Sequence, residues 1–239
     1  MICRILGSSS KGNCYILENR SEILILDAGI PLKDVLPKID FNISKVLGLI
    51  VSHCHGDHSR YIPDYLFRSI PVYAPEETAK IYKTKVIRHK EVFQIGDFKI
   101  MPFELKHDAQ CLGYLIQHSE AGKILFATDT YYVPYKFKEL NHILIELNYS
   151  KDILNESIAK GNIPLIQYRR VLSSHMELET AKEMLKANDL STIVNIVLLH
   201  LSDTNSNGQL FKKEIESVTG KPVYIADTGL EISLNKDGF

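Results

Sequence analysis

Short apolar runs, punctuated by polar and turn-forming residues, recur along this chain. The run Val46-Leu47-Gly48-Leu49-Ile50-Val51 is branched, uncharged and brief, which reads as a buried strand. The same pattern predicts strands near 2–6, 14–18, 22–27, 46–51, 71–74, 98–105, 112–117, 123–128, 142–147, 193–199 and 229–234. Helices are predicted near 59–68, 76–83, 150–160, 177–187 and 207–218. In the fourth of these, Ala181, Met184 and Leu185 repeat at helical spacing. The fifth starts at Asn205-Ser206-Asn207 and stops before Gly220, with Pro222 beyond. Short strands with intervening helices predict α/β layers, and 239 residues with 45% hydrophobics can bury a large core as one domain over 1–239.

The chemistry concentrates where one predicted strand ends. Directly after Val46–Val51 and Ser52 comes His53-Cys54-His55-Gly56-Asp57-His58, three imidazoles and a carboxylate within six residues. A lone histidine is usually a hydrogen-bonded core residue, but packing does not call for this density of donors, which suits zinc, manganese or iron. In an extended or turning segment His53 and His55 project to one side and can share one metal, while Asp57 and His58 turn toward a neighbouring position. Two metals are therefore expected.

The pattern H-x-H-x-D-H after a hydrophobic strand resembles the signature of the metallo-β-lactamase superfamily, and further segments match that family in order. Leu24-Ile25-Leu26-Asp27-Ala28-Gly29 resembles its early strand-ending aspartate, His107 followed by Gly113-Tyr114 its third motif, Ala127-Thr128-Asp129-Thr130 its fourth, and His200 its last. The resemblance implies a four-layer αββα sandwich with two divalent metal ions at one edge, zinc first and manganese or iron as alternatives. It implies His53, His55 and His107 on one metal, Asp57, His58 and His200 on the other, and Asp129 bridging. Asp27 would support the metal loop by hydrogen bonding without being a ligand. Asp57 would also be catalytic, lying where a metal-activated hydroxide forms.

Finer likeness is to the YycJ-like (WalJ) subgroup of nucleases, which lacks an inserted β-CASP domain. It is carried by Leu6-Gly7-Ser8-Ser9-Ser10-Lys11-Gly12-Asn13-Cys14-Tyr15 and by Glu146-Leu147-Asn148 at another strand end, and it suggests Asn13 and Asn148 as substrate contacts. Asp108 stands where ribonuclease Z-type enzymes carry Ser, and is expected either to orient His107 or to add negative charge beside the metals. Ser173-Ser174-His175-Met176-Glu177 is similar to the histidine-then-helix element of related phosphodiesterases, so Ser174 or His175 is expected to cap the following helix. His175 is also the candidate general acid toward the leaving alkoxide.

Charge adds little about substrate. The net charge is −1, so bulk electrostatics do not announce a nucleic-acid binder. Locally, Arg169 and Arg170 precede His175 and suit bidentate phosphate contacts, while Lys80, Lys83, Lys85, Arg88 and Lys90 form a basic stretch more typical of a solvated face. Cys3, Cys14, Cys54 and Cys111 are spaced for neither a disulfide framework nor a closed zinc site. Cys54 and Cys111 are expected to be small fillers near the site. No stretch is apolar over a bilayer's width and the start lacks signal-peptide features, so no membrane partner and a cytoplasmic location are expected. The leading expectation is a dinuclear metal phosphodiesterase acting on nucleic acid, with DNA as substrate and exonuclease action. The alternative is a small-molecule hydrolase such as a cyclic-nucleotide phosphodiesterase or a lactonase. Oligomeric state has no signal in the sequence.

Overall fold

The computed structural model describes residues 1–237. The chain first lays down β1 (Ile2–Ser9), β2 (Gly12–Glu18), β3 (Ile23–Leu26), β4 (Val46–Ile50), β5 (Val72–Ala74) and β6 (Lys85–Val86) as neighbours in one sheet. It then builds a second sheet from β7 (Phe93–Ile95), β8 (Phe98–Glu104), β9 (Leu112–His118), β10 (Gly122–Ala127), β11 (His142–Glu146), β12 (Asn195–Leu199) and β13 (Val223–Ile225). Finally β14 (Glu231–Ser233) returns to pair with β1 at the edge of the first sheet. Both sheets are mixed: β3, β4, β5 and β6 run parallel, as do β10, β11, β12 and β13, while the hairpins at the other side are antiparallel.

Alternation along each strand explains the layering. Tyr15, Leu17, Leu24, Leu26 and Ile50 from the first sheet meet Phe98, Tyr114, Ile124, Phe126, Leu144 and Val197 from the second in a central core. Ile16, Ile23, Ile25 and Leu49, on the opposite face of the first sheet, pack against Leu32 and Val35 of α1 (Leu32–Val35) and, past the single turn α2 (Gly56–Ser59), Ile62 and Tyr65 of α3 (Ile62–Phe67). A fourth short helix, α4 (Glu76–Tyr82), follows β5. On the outer face of the second sheet, Ile143, Ile145 and Leu198 are covered by α7 (Leu178–Lys186) and α8 (Gly208–Thr219), while the preceding pair, α5 (Lys151–Ala159) and α6 (Leu165–Ser174), surrounds a small satellite core of Tyr149, Leu154, Ile163 and Val171. The result is the αββα sandwich that the resemblance implies, built from the α/β layers that the pattern predicts. Central strands are covered on both faces, which is why they read as continuous apolar runs.

Three local differences have physical causes. The helix expected over 59–68 breaks between α2 and α3, because Pro63 has no N–H to continue the ladder and the Tyr61 N–H bonds instead to Ala28 O at 2.9 Å. Helix α6 has no counterpart among the predicted elements: only Val171 and Ser174 are buried, while Leu165, Ile166 and Leu172 face outward and erase the helical period. Ser174 and His175 close α6 instead of capping α7, whose N-cap is Glu177, its carboxylate accepting from the N–H groups of Glu179 and Thr180.

At the start of β11, His142 is fully buried on the inter-sheet side and neither ring nitrogen finds a hydrogen-bond partner. Burial pushes its pKa down to about 4. The unfolded chain therefore binds the extra proton first as pH falls. The stability His142 contributes by staying neutral is complete above about pH 6.5 and is lost toward pH 4. Urea unfolding should show a loss of roughly 2–3 kcal/mol over that window that is absent in His142→Leu; an equal loss in the variant would contradict this assignment.

Candidate metal centre

The site assembles where strands end. Asp27 follows β3, His53–His58 follows β4, Asp129 follows β10, Glu146 ends β11 and His200 follows β12, so all these residues reach one edge of the two sheets. Asp27, Asp129 and His200 adopt left-handed backbone conformations, with φ of 61°, 42° and 53°. Non-glycine residues pay for such geometry with about 1–3 kcal/mol each, which the surrounding structure has to over-determine. Gly29 permits a close approach of the segments beneath: a Cβ there would lie 1.8 Å from Asp57 O and 2.4 Å from Asn13 N.

Two donor groups result. In the first, His53 Nε2 lies 3.0 Å and His107 Nε2 3.2 Å from His55 Nδ1. His107 Nδ1 donates to Ser174 O at 2.9 Å, which places its proton there and leaves Nε2 a lone pair facing the other rings. In the second group, Asp57 Oδ2 lies 3.4 Å from both His58 Nε2 and His200 Nε2, and His58 Nε2 lies 3.2 Å from Asp129 Oδ1. The other oxygen, Asp129 Oδ2, is 3.9 Å from both His53 Nε2 and His107 Nε2. One carboxylate thus faces both groups. Donors bound to a tetrahedral cation at 2.0–2.1 Å stand about 3.3 Å apart, so both groups fit divalent ions of the zinc type.

Around these donors lies a layer of hydrogen-bonding supports. Asp27 Oδ2 accepts from His58 Nδ1 at 2.8 Å and from the Ser52 hydroxyl, while Oδ1 accepts from the Ser52 N–H. Ser52 Oγ also contacts His53 Nδ1 at 2.9 Å. Thr128 Oγ1 donates to Asp129 Oδ1, and His200 N–H donates to Ser8 Oγ, each at 2.8 Å. Glu146, fully buried, accepts from His175 Nδ1 at 2.6 Å and from the Thr130 N–H at 2.7 Å.

The electrostatics call for positive charge. Burial opposes charging of His58, but Asp129 and Asp27 outweigh it and hold its pKa well above the usual imidazole value. His200 is likewise held up to about 10, against its burial, by Asp129, Asp57 and Glu146. Asp57 and Asp129 stay ionised in spite of burial, because facing histidines hold both well below the ordinary carboxylate range. Burial and neighbouring imidazoles push His53 down, keeping its lone pair available. A family model described as a beta-lactamase superfamily domain matches residues 25–201, which contain every donor named above.

The chain belongs to the beta-lactamase superfamily. Superfamily relatives include a Bacillus anthracis protein named exodeoxyribonuclease YycJ, 28% identical over 90% of this chain and 87% of that protein. A Streptococcus pneumoniae protein named exodeoxyribonuclease WalJ is 27% identical over 86% of this chain and 83% of its own. In fold, the chain is similar to the metallo-beta-lactamase fold protein YhfI from Bacillus subtilis, with a TM-score of 0.74 at 17% identity, covering 97% of this chain and 99% of that one.

Several other residues of this superfamily chain sit differently from the sequence-based expectation. Asn13, expected at the substrate, is fully buried; its amide reaches Asp57 O at 3.3 Å and His58 Nε2 at 3.0 Å, so it braces the metal loop. Asn148 is also buried and donates to His200 O at 2.8 Å, with His200 Nδ1 at 3.2 Å, so it positions His200 while lining the cleft beside it. Asp108 does not orient His107, a task taken by the Ser174 carbonyl. Its Oδ1 lies 3.0 Å from His107 Nε2 on the donor side, while Oδ2 accepts from Arg170 Nε at 3.1 Å. Arg170 and His175 line a cleft of about 510 Å³ together with His55, Asp57, Asp129 and His200; Arg169 is exposed outside that lining. Cys111 is buried with Sγ 3.8 Å from His53 Nδ1, and Cys54 is half-buried. In the basic stretch, Lys80 and Arg88 pair with Glu76 and Glu91 at the surface, and no member lines the cleft.

Glu146 is the residue whose part the sequence hides. Its signal was a carboxylate closing an otherwise apolar strand, as Asp27 does after β3, yet its partner His175 lies 29 positions onward. For the Asp27 support, the expected outcome is specific: Asp27→Asn should weaken zinc affinity of the second donor group by about 10–100-fold. Zinc titration of folded protein, confirmed by circular dichroism, checks it; unchanged affinity would remove Asp27 from the support.

Proposed function

We propose that this chain is a dinuclear metal-dependent phosphodiesterase that hydrolyses DNA, acting from its ends. In this reading His53, His55 and His107 hold one divalent ion, Asp57, His58 and His200 the other, and Asp129 both, with zinc the first choice and manganese or iron alternatives. When bound, the ions supply Lewis-acid polarisation of a phosphoryl group and activation of water near neutral pH. The supporting observation is Asp129, whose two oxygens face separate donor groups at the floor of a cleft that also contains a phosphate-seeking Arg170 and a carboxylate-held His175.

The chain's own residues then divide the work. Arg170 projects from α6 over the cleft, where its guanidinium can leave Asp108 for a substrate phosphate of the same charge. Glu146 fixes His175 through Nδ1, which leaves Nε2 to present a proton at the leaving alkoxide oxygen. Burial opposes protonation of His175, but the Glu146 carboxylate outweighs it and raises the pKa, which suits a general acid near neutral pH. Asn13 and Asn148 keep the loop of Asp57 and the ring of His200 in place while this occurs. The two relatives named exodeoxyribonucleases support DNA as the substrate class. The same donor set also activates water against small phosphodiesters and lactones, and salt separates the cases, since only a polymer substrate contacted through several phosphates loses affinity steeply with salt.

Digestion of end-labelled DNA and RNA with manganese- or zinc-loaded protein tests the reading. DNA should be cleaved in a salt-sensitive manner, with activity falling to background in Asp57→Asn. His175→Ala should keep both metals yet lose about 10²–10⁴-fold in kcat. Absence of cleavage with every metal, or full activity in Asp57→Asn, would overturn the proposal, and metal loss in His175→Ala would move that residue from acid to ligand.

A further inference from the structure

At the opposite end of the sandwich, Glu22, Asp97 and His118 bring one donor atom each within 4.8 Å of one another. They come from the β2–β3 turn, the β7–β8 turn and the last residue of β9. Strand β9 starts beside the metal loop, where Leu112 N–H bonds Ser52 O, and six further steps of about 3.3 Å carry the chain some 20 Å away before His118. This group therefore takes no part in the site described above.

His118 is 3% exposed, and its Nε2 has no hydrogen-bond partner. Buried polar nitrogens are seldom left so, and this one belongs to a group with two carboxylates. The carboxylate of Glu22 is fixed in place, its Oε2 accepting from the Asp97 N–H at 3.0 Å. Neither carboxylate hydrogen-bonds Nε2, and three donors lying within 4.8 Å of one another can close on one ion, around which neighbouring donors stand about 3–4 Å apart. One imidazole with two carboxylates matches zinc or manganese.

We propose that Glu22, Asp97 and His118 form a third, structural divalent-cation site that ties the β2–β3 turn of the first sheet to the β7–β8 hairpin and the end of β9 in the second. His118 Nδ1 now accepts from the Glu120 N–H at 3.2 Å, so the neutral ring carries its proton on Nε2. Binding shifts that proton to Nδ1 and frees the Nε2 lone pair for the cation. The cost is the Glu120 contact, which is long beside the usual value of about 2.9–3.0 Å.

Equilibrium dialysis of the full chain against buffered zinc, with bound metal counted per chain, tests the site in wild type, His118→Gln and Asp97→Asn. Each variant should hold one zinc fewer than wild type, lose the part of the zinc-dependent rise in Tm that this site provides, and cleave DNA as wild type does. Equal zinc counts in wild type and both variants would overturn the proposal. Should His118→Gln fail to fold, Asp97→Asn, an exposed position, carries the same comparison. The count difference is read independently of catalysis, so a protein that cleaves no DNA still reports on this site.

Discussion

Two carboxylates and a ring of imidazole lone pairs converge in a space from which water is largely excluded, and that repulsion is relieved only by positive charge. Asp57 and Asp129 face His58 and His200 at 3.2–3.9 Å, while Asp27 and Glu146 approach the same histidines from behind. Without a metal, protons take its place, which is the physical meaning of the raised His58 and His200 values. The architecture serves this one constraint. Parallel strands deliver their C-terminal ends to a common edge, the two packed sheets supply walls, and the helices outside them bury the strands that hold the ends still.

Holding anions together carries a structural cost that is visible in the backbone. Asp27, Asp129 and His200 leave their strands through left-handed conformations; Asp27 is fixed by Ser52 and His200 by Ser8 and Asn148 from other segments, while Asp129 accepts from the adjacent Thr128 hydroxyl. The same logic places Asn13 and Asn148 among the supports. The Asn13 amide is engaged by the Ser9 carbonyl and the Asp57 loop, whereas Asn148, Arg170 and His175 line the cleft.

How much of this the sequence revealed depended on how local each signal was. The candidate metal loop is legible because its donors lie within six residues, directly after an apolar strand. His107, Asp129 and His200 are separated by long intervals and became legible through the order of motifs, since no periodicity links them. Three-dimensional partnerships were opaque: that Glu146 holds His175, or that the Ser174 carbonyl holds His107, depends on α6 ending beside β11. Helix α6 itself was hidden because its apolar residues Leu165, Ile166 and Leu172 point outward, breaking the period by which a buried helix is recognised. Asp108 is legible as a departure from one motif, but its simultaneous contacts with His107 and Arg170 required coordinates.

The central claim is that one carboxylate, Asp129, stands between two separate cations. Anomalous diffraction at the zinc edge from crystals of zinc-loaded protein tests it most directly. The account predicts two peaks at this edge of the sandwich, one among the nitrogens of His53, His55 and His107 and the other among Asp57, His58 and His200, on either side of the Asp129 carboxylate. A single peak there, or two peaks that leave Asp129 uncoordinated, would contradict it.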